Sequence, residues 1–456
     1  MPPLLRFLVS KVSIPLSVFL CLSLLKSDWL LAQTDTLPAG KIPLEIPLRT
    51  YRPPRAVSQK PAFQDTTYRN RRAQGDTLRD TLKNPGVPQK DLSDVLRRIF
   101  KKRRPALTKD TATNVRKPTF SGLPAVGYTL TTKTAVTLSG NAAFRTSDES
   151  RLSTIVASAA YTQNKQFTVP LETSIWTRGD KYNFVGDIHF MKYPQSTFGL
   201  GSNSPIENED PMDYRYIRFY EIVYRKISSD FFLGGGYIID WHYDITEQGL
   251  PGGGVSDYAK YGAASNTLST GFTLNGLYDT RDNSINPYKG FYTELTYRNY
   301  QRFMGSNSDW QSAIIDVRKY VRFPASSKNI LAFWSYDWLT LNGHPPYLDL
   351  PSTNWDRFSS TGRGYIQGRF RGKEMVYLES EYRFPLTANG FLGGVAFVNA
   401  ESLSGLENNR LQSVQPGFGA GLRIKLNKAS RTNVDIDYGF GAQGSHGLFV
   451  NVGELF

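Results

Sequence analysis

From about residue 120 onward, hydrophobic and polar residues alternate one by one in short runs. The run 291–298 shows the pattern, because Phe291 and Leu295 fall on one face while Glu294 and Arg298 fall on the other. Successive side chains of a β-strand point to opposite faces, so alternation with a period of two predicts strands. The same alternation recurs in the runs 376–384, 418–426 and 433–440.

One apolar and one charged face in each run favour a transmembrane barrel, whose strands meet lipid outside and the lumen inside. We count about sixteen such runs, an even number, as is the rule for bacterial outer-membrane barrels. They begin near residues 125, 134, 152, 166, 181, 214, 229, 267, 291, 308, 329, 373, 393, 417, 431 and 447. The sequence therefore predicts an all-β fold, a transmembrane antiparallel β-barrel over residues 120–456, in the bacterial outer membrane.

The connections between the predicted strands differ in length. The long ones follow odd-numbered strands, at 192–213, 241–266, 341–372 and 401–416. The connections after even-numbered strands are mostly short, such as 226–228, 386–391 and 428–430. Because outer-membrane barrels have short periplasmic turns and long outer loops, this pattern predicts that both ends of the chain lie in the periplasm.

The first 32 residues have the layout of a secretory signal peptide. Arg6 and Lys11 supply positive charge, residues 14–25 are apolar, and Ala32 precedes Gln33 at a plausible cleavage site. We therefore predict export with removal of residues 1–32. A lipid-modified Cys21 is the less favoured alternative, because the preceding residue is a large leucine.

Residues 33–119 differ in composition from the rest. Between residues 34 and 119 there are 20 Lys and Arg against 8 Asp and Glu, so this segment carries most of the net charge of +14. Weak hydrophobic periodicity predicts a mostly disordered periplasmic segment. The exception is 91–102, where Asp91 as N-cap and an apolar stripe predict a short helix. The segment is either a solvated linker or a contact with anionic lipid or another outer-membrane assembly component.

Composition narrows the function. The chain has 26 Tyr, 27 Phe and a single Cys, which suits an outer-membrane barrel in contact with lipid and excludes a disulfide framework. The four histidines, His189, His242, His344 and His446, have neither metal-ligand spacing nor a neighbouring nucleophile. We therefore expect no enzyme, no metal and no cofactor. Nucleic-acid binding by the basic segment is not expected in this compartment.

A charged turn precedes the run at 291. Asp279, Arg281 and Asp282 would brace a turn through charge-assisted hydrogen bonds, while Pro287 and Gly290 would fix its bends. An ordinary turn is equally compatible with these residues.

Three further stretches follow in the second half of the chain. Arg363-Gly364-Tyr365 lies inside the longest predicted loop, and 381–386 reads Glu-Tyr-Arg-Phe-Pro-Leu. The third stretch runs from 419 through Asp437-Tyr438-Gly439 to the final strand, 448–456. In that strand, Val450, Val452 and Phe456 are predicted to share one face as a C-terminal assembly signal.

In this order and on these strands, the four stretches resemble the BamA/TamA superfamily of outer-membrane assembly and translocation barrels, also called bacterial surface antigens. The resemblance covers residues 120–456. It implies that the loop folds back into the barrel and that Arg363 binds an acidic side chain of the inner wall. Alternation turns Glu381 and Glu379 toward the lumen, so we expect Glu381 as the partner and Glu379 as the second choice.

The sequence also departs from the family pattern. Asn399 stands where the family usually has Asp, and Glu454 interrupts the final strand where an aromatic is usual. Residues 34–119 do not supply the βααββ pattern of the periplasmic POTRA domains that receive client proteins in the family. Two functions therefore remain: a barrel that helps to insert, assemble or translocate outer-membrane components, or a passive pore or structural accessory subunit.

Overall fold

The computed structural model describes residues 88–92, 94–95, 118–148, 150–357, 359–428 and 430–456. The predicted signal peptide and most of the predicted 33–119 segment lie outside the described residues, and those boundaries remain predictions.

Strands dominate the described part of the chain. They are β1 Thr119–Thr129, β2 Lys133–Phe144, β3 Ser153–Thr162, β4 Phe167–Trp176, β5 Tyr182–Lys192, β6 Gln195–Thr197, β7 Asp210–Lys226, β8 Phe231–Glu247, β9 Asn266–Asp279, β10 Gly290–Tyr300, β11 Trp310–Arg322, β12 Ile330–Gly343, β13 Glu374–Pro385, β14 Leu392–Leu403, β15 Gln415–Asn427, β16 Thr432–Gly441 and β17 His446–Val452. A short helix, α1 (Asp257–Gly262), and the 3-10 turns Arg178–Asp180, Ile206–Asn208, Arg302–Met304 and Tyr347–Asp349 lie in the connections. Among the described residues, no helix is both long and apolar enough to cross a membrane.

Sixteen of the described strands form one closed antiparallel barrel, which confirms the predicted fold. Each barrel strand pairs with its neighbours in sequence, and β17 pairs with β1 to close the ring. The three-residue β6 pairs with the start of β7 and is not part of the ring. Most predicted strand starts are within about three residues of the observed ones; the first was placed at 125, whereas β1 begins at Thr119.

The alternation seen in the sequence separates lumen from lipid. In β13, Tyr377, Glu379 and Glu381 are buried in the lumen, whereas Leu378 between them is 54% exposed on the outer face. Along the outer wall other large apolar side chains are exposed in the same way, among them Leu295, Phe333, Val398, Phe418 and Phe440. Apolar side chains outside and charges inside are what a barrel in lipid requires.

The two rims of the barrel differ. At one rim, here called the loop end, lie the long connections from β5 to β7, β8 to β9, β12 to β13 and β14 to β15. At the other rim, the turn end, lie the short connections from β7 to β8, β13 to β14 and β15 to β16. β1 starts and β17 ends at the turn end, since both run antiparallel to neighbours joined there.

The join between β1 and β17, here called the seam, is much shorter than the other joins. β1 pairs with β2 along its whole length, from Thr119 opposite Ala143 to Thr129 opposite Lys133. Against β17, the described part of the chain gives it one register pair, Tyr128 opposite Val450. The ring is therefore closed, but it is held least firmly here.

A piece of the basic segment is described at the turn end. Leu92, Asp94 and Val95 are helical, and the Asp94 amide donates to Asp91 Oδ1 at 3.1 Å. Lys428 Nζ, in the turn after β15, lies 2.6 Å from Asp94 Oδ2. The rest of the predicted helix 91–102 lies outside the described residues.

Candidate functional site

The long connection between β12 and β13 folds inward and fills part of the lumen. Arg363 and Tyr365 are 1% and 0% exposed. The chain can approach the wall closely because Gly364 has no side chain: its φ is +107°, and a Cβ there would lie 2.7 Å from the Phe440 carbonyl oxygen. Gly439 opposite is equally tight, since a Cβ there would lie 2.8 Å from the Gly364 nitrogen. Two glycines thus let loop and wall meet backbone to backbone.

Arg363 lies among carboxylates of the inner wall. Its Nη2 donates to Glu379 Oε1 and to Glu381 Oε1 of β13, and its Nη1 donates to Asp437 Oδ2 of β16 at 2.8 Å. The guanidinium carbon also lies 3.7 Å from the centre of the Phe397 ring. One buried arginine thus binds strands β13 and β16, which lie three strands apart along the wall. Asp437 was quoted in the sequence motif but not named as a partner.

Tyr365 fixes the loop on the far side of Gly364. Its hydroxyl donates to the Pro416 carbonyl oxygen at 2.5 Å and accepts from the Ala442 amide at 2.8 Å. Its ring packs edge-on against Phe370, with centroids 5.3 Å apart. The three residues therefore hold the loop in different ways. Arg363 forms ionic contacts, Gly364 allows the backbone to approach β16 closely, and Tyr365 forms hydrogen bonds through its hydroxyl.

Asn399, the departure from the family pattern, has a specific contact. Its Nδ2 donates to the backbone carbonyl oxygen of Arg363 at 3.0 Å. A carboxylate cannot donate this hydrogen bond. The Asn399 amide therefore holds the loop by a hydrogen bond without adding a charge. A carboxylate at this position would lie opposite Glu379 in the β13–β14 pair.

The ionic contacts continue from Arg363 toward the turn end. Arg383 donates from Nε to Glu381 Oε2 at 2.7 Å and from Nη2 to the Phe456 carbonyl oxygen at 2.9 Å. Arg423 donates from Nη1 to Asp437 Oδ1 at 2.5 Å and from Nε to Glu454 Oε2 at 2.9 Å. Asp435 Oδ1 also lies 3.2 Å from Arg423 Nε, so the charged network consists of Arg363, Glu379, Glu381, Arg383, Arg423, Asp435, Asp437 and Glu454.

Residues 453–456 complete the network, and the predicted shared face of the final strand is wrong. Val450 and Val452 lie on the outer face, with Val452 57% exposed, but β17 ends there. Gly453, with φ +104°, turns the chain inward. Phe456 is 3% exposed in the lumen and stacks on Trp334 with centroids 5.1 Å apart. The pattern of alternation could not show this, because one glycine interrupts it.

The predicted turn motif lies at the turn end. Arg281 donates from Nε and Nη2 to the two carboxylate oxygens of Asp279, at 3.0 and 2.9 Å. Asp282 Oδ1 accepts from the Tyr288 and Lys289 amides, and Pro287 before them is buried. Gly290 has φ +123°, and a Cβ there would lie 2.6 Å from the Thr280 carbonyl oxygen. The motif therefore forms an internally braced turn.

Two further arginines of the loop were not predicted as site residues. Arg371 Nη1 lies within hydrogen-bonding distance of the carbonyl oxygens of Tyr347, Leu348 and Leu350. Arg369 Nη2 donates to the Ser204 carbonyl oxygen at 2.8 Å. Both side chains are almost fully buried. The signal in the sequence was their spacing after Arg363, but their partners are backbone carbonyls and, for Arg369, the neutral side chains of Ser204 and Gln443, which the arginine pattern does not reveal.

A sixteen-strand barrel with an apolar outer wall, a charged lumen and a loop anchored inside it is the architecture of an outer-membrane β-barrel protein. The model of the Omp85 superfamily domain matches residues 130–453, which is most of the chain. The chain belongs to the Omp85 superfamily and is a bacterial outer-membrane protein.

Solved structures give the same fold. BamA from Haemophilus ducreyi lacking POTRA domains 1–3 is 13% identical, with a TM-score of 0.50, over 74% of this chain and 70% of that one. CdiB from Escherichia coli is 10% identical, also with a TM-score of 0.50, over 74% of this chain and 62% of that one. This chain thus spans less than two thirds of the length of CdiB. The comparison with curated proteins finds no match.

Proposed function

We propose that this barrel assists the insertion, assembly or translocation of outer-membrane components by opening between β1 and β17. The observation that supports the proposal is the seam, where Tyr128 opposite Val450 is the one register pair within the described residues. The turn end is then the periplasmic rim, where clients would arrive.

An opened seam would expose two strand edges. Unpaired edge N–H and C=O groups are templates for pairing with another strand, which is why most proteins protect them. β17 has seven residues, and beyond Val452 the chain leaves the wall for the lumen, so the lower part of β1 is without a partner strand on that side in the described structure. An incoming strand could pair there at little cost to the rest of the ring.

A passive pore is the less favoured function. The loop carrying Arg363 lies inside the lumen, and the space beside it is a cavity of ≈ 120 Å³ lined by side chains such as Asp187, Glu294 and Arg298, and by Trp355 of the loop itself. An open channel does not need an inward loop tied by several buried arginines. A structural accessory role would show as stable co-purification with other membrane proteins without insertion activity.

The test is a disulfide across the seam. The double variant Tyr128→Cys/Val450→Cys should lose the ability to promote insertion of a model outer-membrane barrel into liposomes when oxidised, and regain it on reduction. The matched control, Ala396→Cys/Ala420→Cys, cross-links the paired strands β14 and β15 elsewhere in the wall and should stay active in both states. Equal activity of the oxidised seam variant and its control would refute lateral opening.

A further inference from the structure

The braced turn between β9 and β10 does more than join two neighbouring strands. Asn286 Nδ2 donates to the Arg431 carbonyl oxygen at 3.3 Å, and Asn283 Nδ2 to the Ser430 carbonyl oxygen at 3.4 Å. Ser430 and Arg431 belong to the turn between β15 and β16. Along the wall, β10 and β15 are separated by the strands β11 to β14. These contacts therefore cross the opening at the turn end instead of following the rim.

Arg431 makes the ionic part of this crossing. Its Nη1 donates to Asp282 Oδ2 at 2.8 Å, and its guanidinium carbon lies 4.2 Å from the centre of the Tyr288 ring. Because the other oxygen of Asp282 holds the Tyr288 and Lys289 amides, the same carboxylate orders the turn and binds the far side of the opening.

Residues 453–456, which follow β17, also contact the turn between β9 and β10. Glu454 Oε1 accepts from Asn286 Nδ2 at 3.0 Å, while its Oε2 accepts from Arg423 in the lumen. Phe456 and Leu455 pack with Tyr288 against the same apolar cluster beneath the loop. The turn from β9–β10, the turn from β15–β16 and the end of β17 thus meet at one point.

We propose that Asp282, Asn286, Arg431 and Glu454 form a latch that closes the turn end of the lumen and can release it. Its ionic contact is more accessible to solvent than the loop anchor, by which we mean the contact of Arg363 with Glu379, Glu381 and Asp437. The side chains of Arg431 and Asp282 are 19% and 13% exposed, whereas those of Arg363 and Glu381 are 2% and 0% exposed. Water can replace the Arg431–Asp282 contact when it breaks, so this step costs little desolvation, whereas Asn286 and the side chain of Glu454 are buried. The latch is a property of this chain alone and does not depend on the proposed insertion activity.

Access to the lumen is the readout. In full-length protein reconstituted in liposomes, Thr296→Cys places a thiol on the lumen cavity, where a membrane-impermeant maleimide reports how often the turn end opens. Adding Arg431→Ala, or Asn286→Asp, which sets a carboxylate against Glu454, should raise the labelling rate by about threefold to fivefold, equivalent to at most about 1 kcal/mol in the opening equilibrium. The matched control is Arg215→Ala, which breaks an exposed arginine–aspartate contact of 2.6 Å with Asp244 near the loop end and should leave the rate unchanged.

A second variant keeps the proposal testable if these substitutions unfold the barrel. Asn286→Cys/Glu454→Cys, joined by a reducible bifunctional thiol reagent that spans the two shortened side chains, replaces the 3.0 Å latch contact by a covalent link, and single-channel conductance should rise when that link is reduced. Labelling rates equal to those of the parent in folded latch variants, or conductance unaffected by reduction, would overturn the latch. Neither assay contains a client protein, so failure of the insertion proposal leaves the result interpretable.

Discussion

The loop anchor around Arg363 and the latch around Arg431 use the same chemistry at two places in one lumen. Each joins a connection to the far wall through an arginine, a carboxylate and an asparagine, with Asn399 near the first and Asn286 in the second. They differ in solvent access, since the side chain of Arg363 is 2% exposed and that of Arg431 is 19% exposed. A buried ionic contact is costly to break and an accessible one is not. The anchor is therefore suited to hold and the latch to move.

The strongest test of this contrast removes the anchor. Arg363→Ala leaves Glu379, Glu381 and Asp437 facing one another without their shared cation, and such a change typically costs about 3–5 kcal/mol. We expect a large fall in the folded, heat-modifiable fraction. Glu381→Ala should cost less, because Arg363 keeps Glu379 and Asp437 as partners.

The control for the anchor is Arg298→Ala. Arg298 also points into the lumen, where it lies 5.0 Å from the Tyr220 ring centre, but it has no hydrogen bond or ion pair with any described residue. It should lower stability less than Arg363→Ala does, because no direct ion pair is broken. The double variant Arg363→Ala/Glu381→Ala should lose less stability than the sum of the two single losses, because the two residues share one contact. Additive losses would mean that they do not.

The next effect concerns the close approach of loop and wall. Gly364→Ala introduces a Cβ at a left-handed φ and within 2.7 Å of the Phe440 carbonyl oxygen, so both strain and overlap oppose it. Gly254→Ala is the matched control, with φ +97° but no described atom within 4 Å of the new Cβ. The control should cost about 1–2 kcal/mol from the φ alone, and Gly364→Ala clearly more. Equal melting temperatures for the two would mean that the loop is not packed against β16.

A smaller effect is expected from Asn399→Asp, which restores the residue usual in the family. It removes the donor to the Arg363 carbonyl oxygen and adds a carboxylate beside Glu379, so we expect a loss of about 1–3 kcal/mol in urea unfolding. Asn399→Ala should cost less, because it removes the donor without adding charge. A stabilised Asn399→Asp variant would show that the amide substitutes poorly for a carboxylate here.

The smallest stability change belongs to the latch. Arg431→Ala breaks a partly exposed contact and should cost only about 0–1 kcal/mol, even though it changes access to the lumen. Thermal unfolding followed by heat-modifiability, in the same preparation used for thiol labelling, separates the two quantities. A loss of stability as large as that of Arg363→Ala would mean that the latch holds the barrel as firmly as the loop anchor does.

The sequence predicted the strands of the barrel wall better than the contacts inside the lumen. Strand positions and faces followed from alternation, because lipid outside and charge inside leave a period-two pattern in every barrel strand. Glu379 and Glu381 could be placed in the lumen by the same pattern. Asp437 as a partner of Arg363, and Arg431 as a partner of Asp282, could not, since these contacts cross the barrel between residues distant in the chain. The inward turn at Gly453 was missed because a single left-handed residue ends the periodicity.

The order of the network along the chain has a consequence for how the barrel assembles. Arg363 and Arg423 precede Asp437 and Glu454 in sequence, so Arg363 cannot acquire all its partners until β16 is in place, and Arg423 cannot until residues 453–456 are in place. Closing contacts of such long sequence separation is a late and slow step in folding. A barrel that has not yet received its final strands therefore holds an unlocked loop and unpaired lumen charges. Completion of the last strand and locking of the lumen are one event, which distinguishes a finished barrel from an unfinished one.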